Sequence, residues 1–239
     1  MSRWTILAVL LSTALPSGVD AIAQTRDDLA AAARAFDEGA LRSDDNNAKP
    51  IAIRKWTAPI RLAFRNPGGA PGLVEPTRRA IRAIAAETGS IAVTDVDTND
   101  TTANYLVSFD ENESPSGQRN CYARAWWTAW AINRAELKVN PAQGSGIDVC
   151  IIHEALHSFG FLSHPHGADS VLSYVYKRRA LTPTDVHLIH TLYDPRVTVG
   201  LKPAAASQLG CRILGARMGS SAEDIAAICT DRKGPVPSY

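Results

Sequence analysis

The spacing of apolar positions changes several times along the chain, and each change marks an element. Residues 27–41 are Ala-rich and predict a helix, while the polar run 42–49 predicts a loose linker, so the core is expected to begin near Pro50. Ile60, Leu62 and Phe64 alternate with other residues as in a half-buried strand, which Asn66-Pro67-Gly68-Gly69 stops. Val74, Ile81, Ile84 and Ala85 then share one helical face, Arg78, Arg79 and Arg82 lie largely off it, and Gly89 supplies the stop. Strands are expected at 91–96, 104–109, 122–130 and 136–139, separated by polar or Gly/Pro turns. A second helix opens near Ser145-Gly146, runs from 147 to about 159 and ends at Gly160. A third begins where Thr182 caps, Pro183 fits the first turn and Asp185 answers the cap; Val186, Ile189 and Tyr193 form its buried face and Asp194-Pro195 ends it. Beyond Lys202 one short helix is expected around 223–228.

Composition narrows the class. The 239 residues suffice for one sizeable domain, and 45% hydrophobic with 21% charged residues is ordinary for a globular chain. Lys and Arg total 25 against 24 Asp and Glu, which leaves no basic excess to neutralise phosphates or anionic lipid, so neither nucleic acid nor a membrane surface is an expected partner. Arg3, the apolar run 4–15 and the small-x-small site Ala21-Ile22-Ala23 read as an export signal cleaved before Gln24. The run is shorter than the ~20 residues a membrane span needs, and no Cys follows the cleavage site, so no stable anchor is expected and the product is secreted or periplasmic. In that oxidising space Cys121, Cys150, Cys211 and Cys229 favour two disulfides. Three pairings are open; sequence order favours Cys121 with Cys150 and Cys211 with Cys229. Trp126, Trp127 and Trp130 read as strand packing rather than a ligand platform.

The candidate chemistry is concentrated in one window. All six histidines, His153, His157, His164, His166, His187 and His190, fall between 153 and 190. Residues 153–157 read HEALH on a segment already expected to be helical. Residues four apart on a helix share a face, so His153 and His157 can converge on one metal ion. Zinc suits imidazole nitrogen at about 2.0 to 2.1 Å, and a catalytic site keeps three protein ligands with one position open for water. Glu154 stands beside the first ligand, placed to take that water's proton. Gly160 can turn the chain back so that His164 supplies a third nitrogen, with His166 as its competitor.

The stretch HEALHSFGFLSHP, residues 153–165, resembles the metzincin clan of zinc metallopeptidases, whose pattern is H-E-x-x-H-x-x-G-x-x-H followed by a Met-containing turn. Asp169-Ser170-Val171-Leu172-Ser173-Tyr174 is similar to that turn, and LTPTDVHLIHTLYDP, residues 181–195, to the closing helix of matrixin-like and serralysin-like members. The sequence departs from the pattern twice. The third His comes one residue late, with Ser163 in the family's position, and Leu172 replaces the Met. The resemblance implies an α+β fold, a twisted mixed β-sheet with a zinc-binding helix and a closing C-terminal helix. It also implies zinc on His153, His157 and His164, Glu154 as general base, and Tyr174 as a zinc ligand or oxyanion stabiliser.

The resulting plan is a signal peptide at 1–23, an N-terminal helix and linker at 24–49, a metalloprotease-like domain at 50–200 and a disulfide-tied tail at 201–239. The expected function is a secreted, monomeric, zinc-dependent metallopeptidase acting on protein or peptide. Two other readings share these residues: a secreted binding or envelope protein that kept the fold without cleaving, and a structural zinc staple in which Tyr174 or His166 completes four ligands.

Overall fold

The computed structural model describes residues 26–44, 49–110, 121–144, 146–175 and 177–234; the expected export signal lies outside the described residues. The architecture is mixed α/β, compatible with α+β. In chain order its elements are α1 (Arg26–Ala40), β1 (Lys55–Trp56), β2 (Ile60–Arg65), α2 (Pro71–Thr88), β3 (Val93–Asp95), β4 (Tyr105–Phe109), β5 (Cys121–Thr128), β6 (Ala131–Val139), α3 (Ile147–His157), α4 (Pro183–Leu192), α5 (Pro203–Arg217) and α6 (Ala222–Cys229). Among the described residues no helix is long and apolar enough to cross a membrane.

One sheet organises these elements. β2 pairs in parallel with β3 and β4, β4 in parallel with β6, and β6 antiparallel with β5. Residues 131–132 of β6 pair with both β1 and β5, and residues 135–139 with both β4 and β5. β1 and β4 therefore share one side of β6, and β5 holds the other. The order β3-β2-β4-β6-β5 is parallel except for its β5 edge. Parallel neighbours cannot be joined by a tight turn, which is why α2 intervenes between β2 and β3. Burial of β2 exceeds the alternation read from its sequence, because Ala63 is buried along with Leu62 and Phe64 in a strand flanked on both sides.

Three expectations need correction. The core does not wait for Pro50: Leu29, Ala33, Phe36 and Ala40 lie on one face of α1 and are almost wholly buried. Phe36 packs on Gly210 of α5, where an added Cβ would sit 2.5 Å from its ring, so the absent side chain is what lets the two helices meet. The tail holds two helices rather than one, since α5 precedes the expected α6 and buries Ala206, Cys211, Ile213 and Leu214. The expected strand 122–130 is instead the first arm of a hairpin. It turns at Ala129 (φ 47°) and Trp130 (φ 71°), and β6 begins at Ala131. A two-residue turn with both φ positive normally announces itself with Asn or Gly. Here Trp130 packs against Gly200, a tertiary contact that residues 129–130 do not reveal locally.

The chain pairs Cys121 with Cys150 and Cys211 with Cys229, at Cα separations of 6.0 and 5.5 Å, which is the connectivity that sequence order favoured. The first bridge ties the start of β5 to α3, and the second ties α5 to α6.

The C-terminal turn of α3 is clamped by three elements. The Trp56 indole donates to the Ser158 carbonyl at 2.9 Å, Tyr105 shares a hydrogen bond with Ser158 Oγ at 2.7 Å, and Tyr193 donates to the Phe159 carbonyl at 3.0 Å. The bonds from Trp56 and Tyr193 satisfy carbonyls that a helix end leaves unpaired. Gly160 follows at φ 107°, and a Cβ there would meet the Arg54 carbonyl oxygen at 2.2 Å, so only glycine fits the exit.

Lys55 performs the same service for α4, donating to the carbonyls of Leu192 (2.9 Å) and Asp194 (3.3 Å). Burial pushes its ammonium from 10.5 down to about 8, with Asp194 opposing the shift. Between those values the unfolded chain holds a proton that the folded chain has released, so stability rises with pH across the interval. Burial raises the phenols of Tyr105 and Tyr193, whose opposite contribution begins only near pH 10. Urea unfolding at pH 8 and pH 9.5 should therefore show greater stability at the higher pH, and Lys55→Met should flatten that difference.

Candidate metal centre

α3 is helical because Ile151, Ile152, Ala155 and Leu156 recur at helical spacing and fill the core. That packing turns the half-buried His153, Glu154 and His157 outward from it. After the Gly160 turn, Ser163 donates its amide to the Gly39 carbonyl of α1 at 3.3 Å, which brings His164 back over the helix. The Nε2 atoms of His153, His157 and His164 then stand 3.0, 3.1 and 3.1 Å apart.

The other nitrogen of each ring faces an oxygen from a different part of the chain. Nδ1 of His153 meets the Val171 carbonyl at 2.7 Å, Nδ1 of His157 meets the Phe161 carbonyl, and Nδ1 of His164 meets Asp44 Oδ2 at 2.5 Å. Such acceptors assign the proton to Nδ1 in each neutral ring and turn the Nε2 lone pairs toward one another. Three lone pairs converging at this distance repel unless a cation lies among them. A tetrahedral ion ~2.0–2.1 Å from its ligands separates them by roughly 3.3 Å, close to the spacing observed. The donor set of three imidazoles therefore fits zinc.

Asp44 escaped the sequence reading, which assigned it to a loose linker. Its carboxylate also receives the Ser163 hydroxyl, and its amide donates to the Leu162 carbonyl at 3.2 Å. A carboxylate behind a ligating histidine is a general requirement, but nothing local distinguishes Asp44 from the other acids of the chain.

The segment 170–173 is tied down by a buried carboxylate. Asp185 accepts from Ser170 Oγ (2.5 Å), Val171 N (3.1 Å), Thr182 N and Thr182 Oγ1 (both 2.8 Å), so the capping box of α4 also fixes the peptide that orients His153. Burial nevertheless pushes the Asp185 carboxyl above the usual range. Leu172, where the metzincin pattern has Met, is fully buried in this segment.

The other candidates have definite places. Glu154 Oε2 accepts the Ala123 amide of edge strand β5 at 2.8 Å. The Tyr174 ring stacks on His164 with centroids 4.0 Å apart while remaining 72% exposed. His166 is turned away from the triad: its exposed side chain lies 3.7 Å from Glu38, and its amide donates to the same carboxylate at 2.6 Å. On α4, His190 pairs with Glu87 of α2 at 2.8 Å. Burial first, then His190 and Arg217, pushes the His187 imidazole below its ordinary value. Trp127 and Trp130 are exposed, with the Arg54 guanidinium 3.7 Å over the Trp127 ring.

Fold and site together define a mixed α/β protein with a three-histidine centre carried on a helix and the loop that follows it. The chain belongs to the family described as "Protein of unknown function (DUF2927)", which matches residues 30–209. The triad, Glu154, Tyr174 and Asp44 all fall within that stretch, whereas Cys211, Cys229 and α6 lie beyond it. A search of the curated proteins finds no match to this chain.

Asp44→Ala removes the oxygen that orients His164 and should weaken zinc affinity by about 10- to 100-fold, measured by competition with a chromophoric chelator. His164→Ala should lose more than this. His166→Ala should retain wild-type affinity; a loss there equal to that of His164→Ala would require a different third ligand.

Proposed function

We propose that this protein is a zinc-dependent metallopeptidase of metzincin type, acting outside the cytoplasm on protein or peptide substrates. The observation that carries the reading is the convergence of three imidazoles with a carboxylate between the two helical ligands, Glu154, beside a sheet edge. Additional support comes from the resemblance of residues 153–165 and 169–174 to the metzincin pattern. The one-residue delay before His164 is accommodated by Ser163, which is buried and bonded to Asp44.

Zinc, when held by His153, His157 and His164, supplies an electrophile that acidifies water and polarises a carbonyl. Glu154 does the proton work: it accepts a proton from the attacking water and passes it to the departing amide nitrogen. Its hydrogen bond from Ala123 fixes the carboxylate at the outer side of β5. Among the described residues β5 pairs only with β6, so an extended peptide can add along its other edge and bring a scissile bond to Glu154. Tyr174, resting on the His164 ring, is the donor available to a developing oxyanion.

Glu154→Gln keeps the size of the side chain and its hydrogen bond from Ala123 but cannot take the proton. Zinc content and thermal stability should persist, while cleavage of a diverse peptide library falls by at least ~100-fold. Chelation should abolish wild-type cleavage, and restored zinc should return it. A zinc-loaded wild type that cuts nothing would transfer the reading to a non-catalytic binding protein.

A further inference from the structure

A charged cleft of about 530 Å³ lies between α1 and the segment 231–234, and no residue of α3 lines it. Its wall contains Arg42, which is nine-tenths buried and whose Nε has no hydrogen-bond partner. None of the described carboxylates near it in sequence is hydrogen-bonded to it. Asp37 gives Oδ2 to Arg232 and to Ser207 at 2.8 Å while its buried Oδ1 has no partner, Glu38 receives the amide of His166, and Asp44 binds His164 and Ser163. A guanidinium keeps its charge at any ordinary pH, and a buried charge without a counter-charge is costly. Arg34 and Lys233, both exposed, add two further cations to the same lining, and the exposed Asp231 is its remaining acid.

We infer that this cleft is a binding site for a small oxyanion, a carboxylate or phosphate group gripped by Arg42 with Arg34 and Lys233 at the mouth. The planar fork of a guanidinium matches either group in a two-pronged hydrogen-bonded pair. Withdrawal from water strengthens that pair relative to one at the surface. The inference does not depend on peptidase activity, because no group in the cleft belongs to the triad or to the proton path.

The test uses the full-length, metal-loaded protein, titrated calorimetrically with sodium phosphate and separately with sodium succinate at constant ionic strength. At least one anion should bind with one site per chain and raise the melting temperature, and the two titrations distinguish phosphate from carboxylate recognition. Arg42→Gln should weaken that binding by about 10- to 100-fold. Without ligand this variant should melt no lower than wild type, because the unpaired buried charge is gone. Arg34→Gln, at the exposed mouth, should weaken binding about threefold or more and serves if Arg42→Gln does not fold. Arg212→Gln, on the exposed side of α5, should leave binding unchanged. Absence of binding by either anion up to about 10 mM would overturn the inference. So would unaltered affinity in both Arg42→Gln and Arg34→Gln, since the anion would then sit elsewhere, the histidine centre included. An equal loss in Arg212→Gln would overturn it too, by reducing the effect to general surface charge.

Discussion

Everything at the site depends on one constraint: three imidazoles are each held at Nδ1 so that their Nε2 atoms face a common point. The holding oxygens come from Phe161, Val171 and Asp44, on three separate stretches of chain. One is supplied by the turn after α3, one by the segment that Asp185 pins to α4, and one by the chain leaving α1. Neutral rings oriented this way present three lone pairs at about 3 Å, and a cation would relieve their repulsion. The fold is the means by which those oxygens are brought into position.

This explains why so much packing is spent around the end of α3. Trp56, Tyr105 and Tyr193 hold the 158–159 carbonyls and hydroxyl from a strand, a second strand and the cap that ends α4. Gly160 then makes a turn that no side chain would permit against Arg54. The bridge from Cys121 to Cys150 anchors the opposite end of the same helix to β5, the strand whose Ala123 amide meets Glu154. The carboxylate and the histidines are thereby referred to one frame, as the proposed catalytic role would require.

Most of this frame was legible wherever the determinant is local. Helical spacing gave α2 and α3, the Thr182-Pro183-Thr184-Asp185 run gave the α4 cap, and HEALH gave two of the three histidines because their relation is a property of one helix. The alternation in β2 gave its position but not its burial, which depends on neighbours absent from its own sequence. Long-range determinants stayed hidden. The Ala129-Trp130 turn relies on Gly200, the burial of α1 relies on Gly210, and Asp44 acquires its role only when Ser163 and His164 fold back against it. The choice between His164 and His166 likewise turned on whether Asp44 or Glu38 met the loop, a matter of tertiary geometry.

The most direct test of the central claim is zinc K-edge absorption spectroscopy on the purified protein after exhaustive dialysis. The account predicts one zinc per chain with a shell of three imidazole nitrogens at about 2.0–2.1 Å and at least one additional light-atom ligand from solvent. Loss of zinc on dialysis would contradict it, as would a shell containing sulfur or four imidazoles, because the convergence of His153, His157 and His164 would then not be a metal centre with an open position.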